Sequence, residues 1–494
     1  CQMPAPARAG GCGGRLALGA LLAAGSLFTG GALLLTTWQG APGAVQRLRQ
    51  RSRRDAGRPL PTGAAGVGRV TVGLIALEQR VPEKTHATGA EGCFAMLMFC
   101  NNRPQLLEQT LDSLFTVRGV LVDKLVASQD GSNPAVAAVL AQRGIVHFEH
   151  AKKPMGAIGK KKEGAALIAE HYKWAVDKAF GHFGESAAHL VIIEDDMLFA
   201  PDFMQLFIQL APLLERDPTL WTISAFADNG FSGMVFDETR VIRTEWTVGF
   251  GWLLRRRLWE DELRHQWPKT HWDHWLRSDK RRRGRETLFP EVSRDYHTGV
   301  KGTHSEPGQF DRYFRNIRLA AQQSPLLMGG DLDQLVSANY EEATRQLVAA
   351  ATPVRNLSDL EALALDISTA QAPPLVLCYE SANASDKAWQ PVATYFGLWH
   401  TSPIRGEHRG LVRTGHRGRS LLLIASWSPY SKLLPAGTPR LTGAHFIEHG
   451  AVSRLSVGWL ARAKTPSTSV LNSPPDATTD IGPTGLLRRE LAAA

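Results

Sequence analysis

Apolar positions along this chain follow two periods in turn. Phe94 to Phe99 is an unbroken apolar run, the pattern of a strand buried on both faces. Pro104 suits the first turn of a helix that sets Leu107, Leu111 and Leu114 on one side. Leu125-Val126-Ala127 predicts a second strand, running into Ser128-Gln129-Asp130-Gly131. A short helix around Val136 to Gln142 leads to a strand at Ile145 to Phe148, and a longer helix aligns Ile168, Tyr172, Ala175 and Ala179. The next strand, Leu190-Val191-Ile192-Ile193, ends in Glu194-Asp195-Asp196. Pro201 then opens a helix with Phe203, Phe207, Leu210 and Leu214 on one face. Strands alternating with helices predict an α/β fold, a Rossmann-like, mostly parallel sheet covered on both faces.

After Trp221 the pattern changes. Thr222 to Phe226 predicts another strand, Gly249-Phe250-Gly251-Trp252 a tight turn, and Leu258, Trp259 and Leu263 an amphipathic helix. Trp267, Trp272 and Trp275 gather around Asp273. A mixed pattern follows from Asp331 to Glu448, with a strand at Leu421 to Ile424. The tail from about Arg462 is rich in Ser, Thr and Pro and reads as disordered. At the other end, Leu16 to Trp38 carries no charge and is long enough to span a bilayer; a Gly/Pro/Arg-rich segment follows to about Gly68. The expected layout is a tail and membrane anchor over residues 1–40, a stem over 41–91, a catalytic domain over 92–330, a smaller C-terminal domain over 331–450 and a disordered tail over 451–494. A cleaved signal peptide is the alternative to the anchor. The arginines are denser after the span than before it, against the usual charge bias of a type II anchor. The chain opens with Cys1 rather than Met, so the expectation is a fragment or a doubtful gene model.

Composition adds limits. The chain has 494 residues, 44% hydrophobic and 21% charged, which is the profile of a folded protein of two or three domains. Much of the +9 net charge lies in one block holding Arg47, Arg49, Arg51, Arg53, Arg54 and Arg58. Without a zinc spacing, an RNA-binding motif or a helix-turn-helix, that block predicts a tether or membrane-surface contact and no nucleic-acid partner. Five cysteines without a CxxC do not make a disulfide framework. The sequons at Asn356 and Asn383 are compatible with a luminal chain.

Three acids at the carboxyl end of a buried strand suit a divalent cation, because ligands sit at that edge in open α/β sheets. A solvated acidic turn is the plain alternative. A nucleotide-sugar glycosyltransferase needs a nucleotide site at that edge, a cation for the departing diphosphate and a base for the attacking hydroxyl. Asp196 or Asp195 could hold Mn²⁺ or Mg²⁺ through hard oxygens. Asp273 could be the base, with the tryptophans partly desolvating it and raising its pKa. Phe250 and Trp272 could form a wall for a sugar ring. Asp130 could accept from a base edge such as uracil's imide, and Arg103 and Lys160-Lys161-Lys162 could meet phosphates.

These residues carry a resemblance. The motifs are Asn102-Arg103, Ser128-Gln129-Asp130, His171-Tyr172-Lys173-Trp174-Ala175, Glu194-Asp195-Asp196 with Ala200-Pro201-Asp202-Phe203, Gly251-Trp252-Leu253-Leu254, Trp267-Pro268-Lys269, Trp272-Asp273 and Pro290-Glu291-Val292-Ser293-Arg294. From about Phe94 to Leu319 the sequence resembles the inverting β-1,2-N-acetylglucosaminyltransferases, whose two branches act on N-glycans and on O-linked mannose. The resemblance implies a GT-A fold, UDP-GlcNAc as donor, Mn²⁺ as cofactor, a mannose-terminated glycoprotein glycan as acceptor, and a type II Golgi membrane protein with a luminal catalytic domain. It implies Asp196 as metal ligand and Asp273 as catalytic base. Glu194 and Asp195 would contact sugar and ribose, and Arg103 and Asp130 the nucleotide.

The chain departs from the N-glycan branch in three places. Gly159, followed by Lys160, stands where that branch has a nucleotide-binding His. The loop from Lys301 to Phe310 is longer, with Ser305 as its candidate phosphate contact. Thr222 and Thr287 replace two cysteines that pair there. Arg405 to Leu411, Ser428-Pro429-Tyr430-Ser431 and Ser293 to His297 resemble the O-mannose branch, while the short stem leans toward the N-glycan branch. The expected acceptor is therefore the α-1,3-mannose of an N-glycan, with O-linked mannose second. A non-catalytic sugar-binding protein is a further alternative. A nucleotidyltransferase would want a Gly-rich phosphate loop after the first strand, and Cys100-Asn101-Asn102-Arg103-Pro104 is not one.

Overall fold

Strand β1 (Phe94–Cys100) is buried along its whole length because its two sides meet two different layers. Met96 and Met98 face a core that includes Leu107 and Leu111 of α1 (Pro104–Leu114) and Leu140 of α2 (Pro134–Gln142). Ala95 and Leu97 face the opposite core, with Tyr172 and Val176 of α3 (Lys160–Phe183). β4 (His189–Glu194) repeats this division: Val191 and Ile193 face one way, Leu190 and Ile192 the other. Apolar residues on both faces are what the near-continuous hydrophobic runs require. α4 (Phe203–Arg216) packs on the α1 side through Phe203, Phe207 and Leu210. The computed structural model describes residues 94–456 apart from 152–159, 248, 301–306, 324, 364–371, 385–386 and 402–403, all within one compact unit. The expected anchor and stem lie outside the described residues, as do Gly159, Ser305 and the expected tail beyond Ser456; its first residues, 451–456, instead end a helix, Gly443–Ser456. No helix among the described residues is long and apolar enough to cross a membrane.

The main sheet has the order β3-β2-β1-β4-β8-β6-β9-β7. β2 (Leu125–Asp130), β3 (Val146–His150), β1 and β4 are mutually parallel, as the alternation predicts. The other half adds the two strands that run against the rest, so six of the eight share one direction and the sheet is mostly parallel, as expected. β8 (Trp252–Arg255) inserts antiparallel between β4 and β6 (Leu220–Ser224). β9 (Glu286–Pro290) runs parallel to β6 and antiparallel to β7 (Val241–Thr244). The helix-strand alternation stops at Trp221, and an antiparallel strand needs no crossover helix. Strand β6 also begins two residues earlier than expected, and Gly251-Trp252 is the entry to a central strand rather than only a turn. Thr222 and Thr287 face each other across β6 and β9 with their hydroxyl oxygens 2.7 Å apart, so a hydroxyl pair stands where the resemblance sets two cysteines.

Two three-residue strands shape the rim. β5 (Met197–Phe199), just past the acidic turn, pairs antiparallel with β10 (Asp295–His297), matching Met197 to His297. Thr110 and Ser113 of α1 hold β5 by accepting the Met197 and Phe199 amides at 3.0 and 2.9 Å. A buried Arg294–Asp202 ion pair, Nε to Oδ2 at 2.9 Å, ties the start of β10 to the start of α4.

The remaining elements include α5 (Trp272–Arg277), α6 (Ser337–Ala349), α7 (Trp389–Phe396) and a second sheet. The sheet orders β11 (Thr352–Pro353), β12 (Leu375–Tyr379), β15 (Arg419–Ala425), β14 (Leu411–His416) and β13 (Glu407–His408), with β16 (Arg440–Leu441) also on β12. Its core merges Leu377, Leu423 and Trp389 with Phe226, Phe231 and Phe314 of the preceding half.

Candidate active site

Arg103, Asp130, Glu194, Asp195, Asp196, Phe250, Trp272 and Asp273 line one cleft of about 450 Å³ at the carboxyl ends of β1, β2 and β4. These residues come from separate elements, and the fold brings together nearly the whole set expected from sequence. Lys160 starts α3, its side chain outside the described residues, and Ser305 is not described.

The acidic turn is largely buried. Asp195 and Asp196 are buried, and burial pushes the Asp195 carboxyl up to about 6 even with Arg103 beside it. Burial, reinforced by the charge of Asp196, pushes Glu194 up to about 8. The Arg103 guanidinium bridges the turn, donating to Asp196 Oδ2 at 2.6 Å and to Asp195 Oδ1, while the Asn101 amide donates to Asp195 at 3.3 Å. One guanidinium against three carboxyls leaves the turn short of positive charge. Asp196 Oδ1 is buried without a partner, and single donor atoms of Glu194, Asp196 and His297 lie within 4.8 Å of one another. Gly299 leaves the room: a Cβ there would stand 2.1 Å from Asp196 Oδ2. These residues fit a divalent cation. The family motif that contains His297 was legible in the sequence, but its place beside Asp196 was not, because the β5–β10 pairing creates it.

Asp130 meets His150, Oδ1 to Nδ1 at 3.0 Å. The His150 ring stacks on His171 at 5.0 Å, and His171 Nε2 is 2.7 Å from the Ser128 hydroxyl. His150 carried no signal in the sequence, being one position of a short edge strand.

Asp273 sits in the first turn of α5, after His271, a non-glycine residue held at φ 47°. Its carboxylate receives Arg277 Nη1 at 2.7 Å and is about 34% exposed. Arg277 is itself fixed by the Thr247 carbonyl at 2.7 Å and by the face of Trp246. Trp272 packs against Tyr172, at 4.2 Å, and Trp267, at 5.7 Å, inside the core, so the rings support α5 from beneath while Asp273 faces the cleft. Behind the acidic turn, both Asp295 oxygens are buried without partners, and burial raises that carboxyl well above its usual range.

A parallel-to-mixed α/β sheet with a cation-fitting acidic cleft at its carboxyl edge, faced by a carboxylate from another helix, defines the class of protein. The chain belongs to the GNT-I family, whose sequence model matches residues 70–426. This bears out the resemblance read from the motifs. An Arabidopsis thaliana protein, alpha-1,3-mannosyl-glycoprotein 2-beta-N-acetylglucosaminyltransferase, is 35% identical over 272 residues, covering 54% of this chain and 60% of that relative. The match thus spans less than two thirds of the relative's length. Among solved structures, a Pyrobaculum calidifontis mannosyltransferase in complex with GDP-Man and Mn²⁺ matches at TM-score 0.28 and 14% identity, over 56% of this chain and 70% of that one. A fragment of S. aureus TarS in complex with UDP-GlcNAc matches at TM-score 0.29 and 12% identity, over 42% and 59%.

Proposed function

We propose that this protein is an inverting, Mn²⁺-dependent β-1,2-N-acetylglucosaminyltransferase of GT-A fold. It moves GlcNAc from UDP-GlcNAc to the 2-hydroxyl of an α-linked mannose, the α-1,3-linked mannose of an N-glycan. The observation that carries the proposal is the convergence of the acidic turn, Arg103, Asp130 and Asp273 on one cleft in a chain of the GNT-I family. The name of the Arabidopsis relative supports the acceptor.

Asp130 receives the uracil imide N–H. Glu194 and Asp195 accept from hydroxyls of the sugar and ribose, and Arg103 lies within reach of the diphosphate. Asp196 holds the cation, whose chemistry when bound is to neutralise the leaving diphosphate. Asp273 takes the proton from the mannose 2-hydroxyl as that oxygen attacks the anomeric carbon from the face opposite UDP. The bond from the anomeric carbon to the phosphate oxygen breaks, its electron pair leaves with UDP, and the configuration inverts. Arg277 holds Asp273 in line, and Phe250 and the edge of Trp272 bound the sugar.

The test gives the full chain UDP-GlcNAc, Mn²⁺ and, side by side, a five-mannose N-glycan and an O-mannosyl peptide. The expected result is transfer to the N-glycan. Transfer only to the O-mannosyl peptide would reverse the acceptor. Donor binding without transfer to either would favour a sugar-binding protein. The proposal extends to location: a type II Golgi membrane protein anchored by Leu16 to Trp38, with residues beyond the stem in the lumen. Alkaline extraction of membranes that released the chain would remove the anchor from this reading.

A further inference from the structure

The triplet Asn356-Leu357-Ser358 has the spacing that N-linked glycosylation requires, and the proposed reaction makes no use of it. The fold decides which of its side chains meet water. The triplet follows edge strand β11 and opens a five-residue helix, Leu357–Glu361. Leu357 and Leu360 are buried in the core that also holds Tyr395 and Phe446, which turns their face of the helix inward. Asn356, Ser358 and Asp359 are exposed. The middle residue thus points into the protein, while the amide and the hydroxyl stay outside. The two ends of the Asn356 amide also differ. Oδ1 accepts the Asp359 backbone amide at 2.8 Å and caps the helix. Nδ2 donates to the Asp359 carboxylate at 3.0 Å, an exposed contact that water can replace. A sugar on Nδ2 would leave the cap and the buried leucines in place.

The order of the chain favours modification as well. A helix this short has no stability of its own. This one is held by the helix Gly443–Ser456, against which it packs, and by the Tyr395 hydroxyl on Glu361 at 3.0 Å. Both holders lie later in the sequence, so a chain entering the lumen amino end first presents residues 356–358 as open peptide. We propose that Asn356 is an N-glycosylation site, modified from a lipid-linked oligosaccharide, which sets a glycan beside the edge of the second sheet. This rests on the luminal location proposed above. In the step, Nδ2 bonds to the anomeric carbon of the first sugar. The bond from that carbon to the pyrophosphate oxygen breaks, its electron pair leaves with the lipid pyrophosphate, and one amide proton passes through the modifying enzyme to solvent. Asn356 is not among the residues that line the cleft, so the glycan leaves the cleft open. A bulky hydrated group next to β11 also hinders edge-to-edge pairing with another chain.

The test expresses the full chain in eukaryotic cells, alongside Ser358→Ala and Asn356→Asp. Ser358→Ala removes the hydroxyl that the triplet needs and keeps the cap. Asn356→Asp removes the amide nitrogen and keeps a good capping oxygen. Both should therefore fold, which a thermal melt checks. Treating the unaltered protein with peptide N-glycosidase should raise its gel mobility, and release in water labelled with heavy oxygen should leave the label on residue 356, read by mass spectrometry of its peptide. One glycosidase-sensitive mobility step should be lost in each variant. Protease treatment of sealed microsomes reports the location independently. A protected chain whose residue 356 takes up no label, or a mobility pattern unchanged in both folded variants, would overturn the glycosylation site and leave the luminal reading standing. Digestion of the catalytic domain in sealed microsomes would overturn both.

Discussion

Asp273 and Gly251 show what single residues do in this cleft. Asp273 is oriented by Arg277 and faces the cavity, so its loss should act on chemistry rather than on donor binding. Asp273→Asn is expected to lower kcat by about 10²–10⁴-fold, with UDP-GlcNAc binding by calorimetry nearly unchanged. Lost donor binding with unimpaired chemistry in the bound enzyme would refute that role. Gly251 is a different case. It sits at φ 45°, and a Cβ there would lie 1.8 Å from Asp295 Oδ2 and 3.2 Å from Phe203. Gly251→Ala is expected to destabilise the fold by about 1–3 kcal/mol through strain and overlap. An unchanged urea midpoint would mean that the entry to β8 yields more easily than its packing implies.

At the scale of elements, short strands do most of the positioning. β5 and β10 have three residues each, yet they set His297 against Asp196 and are held by Thr110, Ser113 and the buried Arg294–Asp202 pair. The β6–β9 pairing carries its own device in the Thr222–Thr287 hydroxyl pair, with Thr247 a further 3.2 Å from Thr287. Thr222→Val leaves a buried hydroxyl short of a partner and should cost about 1 kcal/mol. Combined with Thr287→Val, the loss should be less than the sum of the single losses, a coupling of about 0.5 kcal/mol or more. Strict additivity in denaturation experiments would show that the two hydroxyls contribute independently.

Across the whole molecule, the two sheets are joined by an apolar core and by a charged bridge. His408 of β13 bonds Glu286 of β9 through Nδ1 and Glu341 of α6 through Nε2, the latter at 3.0 Å. Arg243 and Tyr430 complete the surroundings by bonding Glu286 and Glu341. Burial works against the imidazolium, but its two carboxylate partners win and hold its pKa above the ordinary value. Burial likewise opposes ionisation of Glu341, but hydrogen bonds from His408 and Tyr430 bring it down to about 2. The His408 contribution is therefore complete below about pH 6.5, its unfolded value, and is lost as pH rises through the folded pKa. The Glu341 contribution is present above its unfolded value and is lost as pH falls toward 2. Urea unfolding of the unaltered protein and of His408→Gln should show a stability difference that is larger near pH 6 than near pH 9. Glu245 and Glu407, buried acids nearby whose pKa values are raised, are held down in part by the His408 charge, so their response forms part of that difference. A difference independent of pH would mean that His408 is uncharged in the bridge.

The sequence by itself determined the parallel half of the sheet, its helical layers, the acidic turn, and Asp130 and Asp273 as candidates. The reason is physical: strands buried on both faces need near-continuous apolar runs, and helices that cover them need a 3.6-residue period, so both leave local records. The family was legible for a related reason, since functional side chains recur in short motifs at the ends of those elements. Strand β8 left no such record, because four residues are too few to show a period and its antiparallel partners are set by distant chain. Only the tertiary structure turned the tryptophans into the core beneath α5, put Arg103 across two carboxylates, and brought His150 to Asp130 and His297 to Asp196. Each of these depends on contacts between residues far apart in sequence, held by packing and buried hydrogen bonds that no local pattern encodes.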